Sequence, residues 1–217
     1  MTLTALLLPM VVVSAQAKPA AKSTTRKAAT EKAPVGVPMR FRVGATGNEV
    51  RYRVRELLAA STLENDAVGA TTALTGGLVI AAAGKVDTTA SKWSVDLTTL
   101  KSDRSMRDGY VQGRTLETAQ FPTAVLVVTE IKGLPAVLPD SATLTLTLLG
   151  RFTVHGVTKP TAWDVSATVA GDHISGTATT HLKFAEYNMA LPSVPVLASL
   201  ADDIKIEYDF HLIREHE

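Results

Sequence analysis

The chain has 217 residues, of which 46% are hydrophobic and 20% are charged, and its formal net charge is +1. This length and composition fit one globular domain with terminal extensions. The sequence contains no cysteine, which excludes disulfides, thiolate metal sites, a cysteine nucleophile and a lipid anchor attached to cysteine.

The first residues are typical of a secretory signal. Residues 3–13 (LTALLLPMVVV) form an apolar run that is too short to span a bilayer as a helix. Ala15-Gln16-Ala17 follows, in the A-x-A pattern at which signal peptidase cuts. We therefore predict a Sec-type signal peptide over residues 1–17 and a periplasmic or secreted protein, with a buried N-terminal strand as the alternative.

Residues 18–38 are predicted to form a basic disordered linker, because they are rich in Lys, Ala, Thr and Pro and lack apolar periodicity. Five basic residues and one acid give this linker a charge of +4, which leaves −3 for the predicted domain over residues 39–217. An acidic domain argues against nucleic-acid binding, which would need a basic folded surface. The linker would suit transient contact with an anionic membrane surface, although a solvated spacer explains the same composition.

From Met39 onward, apolar and polar residues alternate with the period of two that is typical of half-buried strands. Turn residues separate the segments and no helices alternate with them, so we predict an all-β, antiparallel fold. Closure removes exposed strand edges, which favours a barrel of about eight strands. The predicted strands lie near residues 40–45, 48–56, 70–83, 91–101, 122–132, 141–155, 160–170, 172–184 and 203–213.

One segment, residues 102–122, departs from the alternation. Met106, Tyr110 and Val111 would share one side of a short helix, which the two glycines at 109 and 113 weaken by up to about 1 kcal/mol each. We predict one short helical excursion that packs over an end of the barrel or against its wall.

The stretch His155-Gly156-Val157-Thr158-Lys159-Pro160 lies between two strand-like runs. Gly156 can adopt a positive φ, and Pro160 fixes its own φ and donates no ladder hydrogen bond. We interpret this stretch as a hairpin turn, in which His155 needs no role in proton transfer.

The sequence offers no pattern for catalysis. No two histidines have metal-binding spacing, and there is no G-x-S-x-G nucleophile motif. We predict that the protein is not an enzyme and has no catalytic residue, metal or cofactor. A small hydrolase or isomerase is the alternative, and it would lose activity when His181 or Asp103 is changed to alanine.

A barrel of about eight strands can be filled by its own side chains or can hold one small ligand. Slender side chains dominate the apolar phases, and residues 123–128 are apolar on both faces. These features favour a cavity, although a filled barrel explains the composition equally well.

The order of several motifs resembles the YceI-like family, bacterial periplasmic lipocalin-like proteins that bind polyisoprenoids. Residues 150–160 (GRFTVHGVTKP) are similar to the family's G-x-L-T-(I/V)-(H/K)-G-V-(T/S)-(K/R)-P block, and the resemblance extends over about residues 39–214. The sequence departs from the family at Gly109-Tyr110, where many members have an acid or asparagine followed by His-Leu or Phe. The weaker matching motifs lie at residues 48–54, 76–77, 102–108, 121–124 and 184–189.

The resemblance implies a lipocalin-like β-barrel with an elongated apolar cavity that takes up an isoprenoid chain, without cofactor or turnover. Each CH₂ group moved from water into such a cavity contributes about 0.8 kcal/mol. The predicted function is therefore carriage or storage of a long-chain isoprenoid or similar lipid. The alternative is a structural or stress-response envelope protein with a filled barrel, acting through protein contacts. The oligomeric state stays open.

The candidate ligand contacts fall into two groups. Arg107, Tyr110 and Arg114 are predicted at the cavity mouth, since cations suit a phosphate or pyrophosphate head group. Each apolar candidate could instead pack in the core or face outward, and Arg107 and Arg114 could instead pair with Asp103, Asp108 or Glu117 on a solvated surface. The apolar candidates, chosen because they occupy the apolar phase of their strands, are Leu78, Trp93, Val95, Leu97, Leu126, Leu146, Phe152 and Trp163.

Overall fold

The computed structural model of the protein describes residues 38–81 and 84–216. The predicted signal peptide and nearly all of the predicted linker lie outside these residues. Within them, no helix has the length and apolar character needed to cross a membrane. The strands are β1 (Met39–Val43), β2 (Glu49–Leu58), β3 (Asn65–Thr71), β4 (Leu74–Ile80), β5 (Lys92–Asp96), β6 (Lys101–Ser102), β7 (Thr123–Lys132), β8 (Ser141–Val154), β9 (Val157–Ala170), β10 (His173–Leu182) and β11 (Leu197–Glu215).

The strands form a closed antiparallel barrel. Its ring has the order β1-β4-β5-β7-β8-β9-β10-β11, and β1 closes it by pairing with β11. Further along β11, β2 pairs on the same edge, followed by β3 and then β6. The pairs β1/β2, β3/β4 and β5/β6 are therefore each one long strand with a single break. The prediction of an antiparallel barrel of eight strands is confirmed.

The first break, between β1 and β2, depends on the side chain of Asn48, which is buried. Its Nδ2 donates to the carbonyl oxygens of Gly44 at 2.9 Å and of His211 at 3.2 Å. Its Oδ1 accepts from the backbone N–H of His211 at 3.0 Å and from the Tyr208 hydroxyl at 2.9 Å. A single amide thus replaces the ladder hydrogen bonds that the break removes, as buried backbone groups require.

The third break, between β5 and β6, is a 3-10 turn over Leu97–Thr99. The Asp96 carboxylate caps it by accepting from the backbone N–H of Thr98 at 2.9 Å. The Thr99 hydroxyl lies 2.6 Å from that of Thr71, next to the second break. We call β1–β6, residues 39–102, the interrupted wall.

Opposite lies the continuous wall, formed by β8, β9 and β10 (residues 141–182). β8 and β9 pair without a break from Ser141 opposite Ala170 to Val154 opposite Val157. Their connection is a two-residue turn in which His155 (φ 49°) and Gly156 (φ 72°) both have positive φ, as in a type I′ hairpin. The predicted turn and the positive φ of Gly156 are confirmed.

The predicted helical excursion is also present. α1 (Ser105–Tyr110) continues into a π-helical turn over Val111–Thr115, between the interrupted wall and β7. Met106, Tyr110 and Val111 all face the barrel interior or its rim, although Met106 is largely exposed.

Several predicted strand boundaries are wrong. β9 begins at residue 157 instead of 160, and the strand predicted over residues 70–83 is divided into β3 and β4 and ends at residue 80. β3 begins at residue 65 instead of 70, because the small residues of this strand give a weak alternation and the strand breaks at residues 72–73. β11 begins at residue 197 instead of 203, because two register irregularities between residues 197 and 204 disturb its alternation.

Candidate ligand-binding site

The barrel encloses a cavity of about 490 Å³. On β8 the lining side chains run from Leu144 to Val154, about 34 Å along the strand. The volume falls within the range of roughly 300–1,000 Å³ that is usual for small-molecule sites. The apolar side chains that alternation predicted to face inward therefore line a long cavity and leave its centre open.

One end of this cavity is closed by side chains. The loop between β7 and β8 contributes the half-buried Leu134 and Leu138 to the lining. Behind them the strands contribute fully buried apolar residues, which exclude water from this end. These residues are Phe41, Ile80, Val169 and Leu212.

The other end is the mouth, which lies between α1 and the segment of residues 190–197. Met106 and Val196 line the cavity here and are nevertheless 86% and 51% exposed. The backbone N–H of Ala59 donates to the Val196 carbonyl at 2.9 Å, which ties this segment to the β2–β3 connection. Leu63 and Leu191 are exposed at the same end. Apolar side chains thus surround the opening on the solvent side.

Just inside the mouth, a buried ion pair crosses from β2 to α1. Glu56 is only 4% exposed, and its Oε1 accepts from Arg107 Nη2 at 2.7 Å and from Asn65 Nδ2 at 3.2 Å. The second Nη of Arg107 donates to the Asp103 carboxylate. Because both Nη groups bond carboxylates, the positive charge of Arg107 is compensated within the protein.

Tyr52 lies beside this ion pair and also lines the cavity. Its ring covers Gly69, the cross-strand neighbour, where a Cβ would come within 2.3 Å of the Tyr52 Cε1 atom. Burial raises the pKa of Tyr52 to about 12, although the nearby Arg107 acts to lower it. The phenol is therefore protonated, and within residues 38–81 and 84–216 its hydroxyl has no hydrogen-bond partner. We call Tyr52, Glu56, Asp103 and Arg107 the neck.

The same barrel architecture is found in a known protein family and in solved structures. The family model of the YceI-like domain matches residues 41–212. The chain belongs to the YceI-like family. The resemblance that residues 150–160 carry is thereby confirmed.

Two solved structures share this YceI-like fold. One is a polyisoprenoid binding domain from Saccharophagus degradans implicated in plant cell wall breakdown, with a TM-score of 0.64 and 15% identity over 81% of this chain and 98% of that chain. The other is BcnA from Burkholderia cenocepacia, with a TM-score of 0.55 and 14% identity over 78% of this chain and 98% of that chain. Identities this low show likeness of fold. None of the curated proteins matches this chain.

Most of the predicted site residues line the cavity of this YceI-like barrel. Arg114 does not: it is exposed on the π-helical turn. Arg107 reaches the neck but is paired with Glu56 and Asp103; the pairing alternative included Asp103, but it did not include Glu56 and it expected a solvated surface, whereas the Arg107 side chain is 14% exposed. The predicted residues that line the cavity are Leu78, Trp93, Val95, Leu97, Arg107, Tyr110, Leu126, Leu146, Phe152 and Trp163.

Sequence reasoning missed Tyr52 and Glu56. The signal was present, because Val50, Tyr52, Val54 and Glu56 share the inward phase of β2. A charged residue on an otherwise apolar phase indicates a buried charge that needs a partner. Among residues 38–81 and 84–216, no cluster of three or more histidine, aspartate or glutamate side chains could hold a metal ion.

Proposed function

We propose that this protein binds a long-chain isoprenoid or a similar apolar lipid in the barrel cavity, as a carrier or storage protein in the periplasm or outside the cell. The observation that carries the proposal is the long apolar cavity with an opening at the α1 end. Burial of a lipid chain there would contribute about 0.8 kcal/mol for each CH₂ group. The polyisoprenoid binding domain of Saccharophagus degradans, which shares the fold, supports an isoprenoid as the cargo.

The apolar rim of the mouth supports loading from a membrane surface. Met106, Val196, Leu63 and Leu191 would contact the lipid surface, so that a chain could pass from the bilayer into the cavity without crossing water. Met106 and Val196 also line the cavity, which links this contact to the cavity itself.

The filled-barrel alternative would require side chains to occupy the interior. The 490 Å³ cavity is the observation against it, since the inward residues of the continuous wall line open space. A protein that acted only through contacts with other proteins would not need such a cavity.

Native mass spectrometry of the protein purified from its own envelope tests the binding function. We expect a discrete mass adduct that organic extraction releases as an isoprenoid lipid. A bare protein that also refuses added isoprenoid quinone and an apolar dye would contradict the proposal.

Loading from a membrane is tested separately by transfer of a fluorescent isoprenoid from phospholipid vesicles. Met106→Asp should slow transfer, because it places a charge on the apolar rim. Val137→Asp is the matched control, since Val137 is 82% exposed in the β7–β8 loop at the closed end. Equal rates for the two variants would argue against docking through the mouth.

A further inference from the structure

We propose that the neck selects lipids with an uncharged polar head group, such as an alcohol or a carbonyl, over phosphorylated lipids with the same chain. This inference rests on the proposed function, because it assumes that a lipid chain occupies the cavity with its head group at the neck. It replaces the expectation that Arg107 and Arg114 attract a phosphate.

The positive charge of Arg107 is already compensated by two carboxylates. Its side chain is 14% exposed, and its two Nη groups donate to Glu56 and to Asp103. A phosphate that bound the remaining N–H groups of Arg107 would compete with these two carboxylates for a positive charge that they already compensate. Displacement of Glu56, whose side chain is 5% exposed, would leave a buried charge without compensation.

The surrounding charges also disfavour an anion. Arg104, the other arginine at the mouth, has its Nε 3.8 Å from an Asp103 oxygen. The Asp108 carboxylate accepts from the backbone N–H of Ser102 at 2.8 Å and from its hydroxyl at 2.6 Å. Three carboxylates, those of Glu56, Asp103 and Asp108, therefore lie close enough to act on the charge state of Tyr52, where Arg107 is the one cation that does so among the described residues. A phosphate would add negative charge to a site that already has an excess of it.

An uncharged head group meets suitable partners at the same place. The Tyr52 hydroxyl is protonated and can donate to a carbonyl or hydroxyl oxygen. Both hydrogen bonds that Glu56 accepts within the described chain go to Oε1, and an alcohol O–H can donate to its carboxylate. The neck thus offers one donor and one acceptor without requiring any existing ion pair to open.

The test compares geranylgeraniol with geranylgeranyl phosphate, which differ in the head group alone, by displacement of an apolar fluorescent dye from the lipid-free protein. We expect the alcohol to bind at least about tenfold more tightly than the phosphate. Equal or tighter binding of the phosphate would overturn the selection while leaving lipid binding intact. If neither compound displaced the dye, the proposed function itself would fail, and this inference with it.

Variants of the carboxylates assign the selection to the neck. Glu56→Gln should raise the affinity for the phosphate about tenfold, because it releases part of the Arg107 charge. Asp103→Asn, at a side chain that is 71% exposed, should act in the same direction without risk to folding. Glu64→Gln is the matched control, since Glu64 is exposed on the β2–β3 connection outside the neck. Unchanged phosphate affinity in Asp103→Asn would overturn the proposal.

Tyr52→Phe isolates the hydrogen-bond donor. It should weaken geranylgeraniol about fivefold and leave a headless isoprenoid hydrocarbon unaffected, because only the hydroxyl is removed. Equal weakening of the alcohol and the hydrocarbon would show that Tyr52 acts through packing alone, and would overturn its role in head-group selection.

Discussion

The continuous wall and the interrupted wall face the same cavity but contribute different chemistry. Every lining residue of the continuous wall is apolar, from Leu144 on β8 to Leu182 on β10. The interrupted wall contributes apolar residues as well, but also Tyr52 and Glu56. Unbroken pairing thus accompanies a uniform surface for a lipid chain, whereas the polar lining groups Tyr52 and Glu56 belong to the wall that contains the breaks.

The breaks have a physical reason to accompany polar side chains. A broken ladder leaves backbone groups that need hydrogen-bond partners, and Asn48 and Asp96 supply them. In the same wall, Gly69 has no Cβ and so allows the Tyr52 ring to lie against the sheet. The interrupted wall therefore gives up regular pairing and positions specific groups instead.

The largest effect is expected from a charge placed on the continuous wall. Leu146→Arg should abolish binding of an apolar dye, because an unpaired guanidinium inside the cavity costs several kcal/mol unless water enters. The protein should stay folded, since Leu146 borders open space. Thr145→Arg, on the exposed face of the same strand, should bind dye normally. Circular dichroism measures folding and dye titration measures binding in the two variants. If Leu146→Arg failed to fold, Leu146 would be packed in a solid core instead of bordering the cavity.

The β8–β9 turn should be a sensitive point of the continuous wall. Gly156→Ala forces a side chain into positive φ and brings its Cβ within 2.8 Å of Phe121, so we expect a loss of about 1–3 kcal/mol. Gly171→Ala has the same backbone penalty (φ 60°) but no atom within 4 Å. Thermal unfolding should show the larger loss for Gly156→Ala. Equal losses would mean that Phe121 moves aside freely.

Substitution of Gly69 in the interrupted wall should lower both the stability of the protein and its head-group preference. Gly69→Ala would push the Tyr52 ring from its place, with an overpacking cost of about 1–2 kcal/mol and a weaker preference for the alcohol. Gly109→Ala on α1, with nothing within 4 Å of the new methyl group, should instead leave stability unchanged or raise it by up to about 1 kcal/mol. Denaturant unfolding and the dye assay test both. If Gly69→Ala left the head-group preference unchanged, the position of the Tyr52 ring would not contribute to head-group selection.

The smallest effect is expected on β11, at residues that pair with β2 of the interrupted wall. The ammonium of Lys205, 2.8 Å from Oε1, lowers the pKa of Glu207 below its ordinary value of 4.5, and Arg53 contributes as well. A lowered pKa in the folded state gives stability that is present above the unfolded pKa and is lost as pH falls through the folded pKa. Glu207→Gln should remove up to about 1 kcal/mol of this acid-dependent stability. If the melting temperatures of the wild-type protein and of Glu207→Gln fell equally as the pH is lowered, this prediction would be contradicted.

Sequence patterns predicted the two walls unequally, for reasons that particular residues illustrate. Along β8 and β9 the alternation is clear except at Leu149, so the inward positions of Leu146 and Trp163 follow from the sequence. In β2 the same phase includes Glu56, but its partner Arg107 lies 51 positions away and reaches it through α1. The packing of Tyr52 over Gly69 likewise depends on the register of β2 and β3, which local propensity does not specify.

The long strand β11 has a consequence for how the protein reaches this state. One of its edges pairs with β10, and the other pairs with both β1 and β2. The hydrogen bond between Tyr208 and Asn48 joins positions 160 residues apart. Contacts this distant in sequence form slowly, because loop entropy is lost before they are gained. The ring therefore cannot close before β11 has been synthesised, and its closure is expected late in folding.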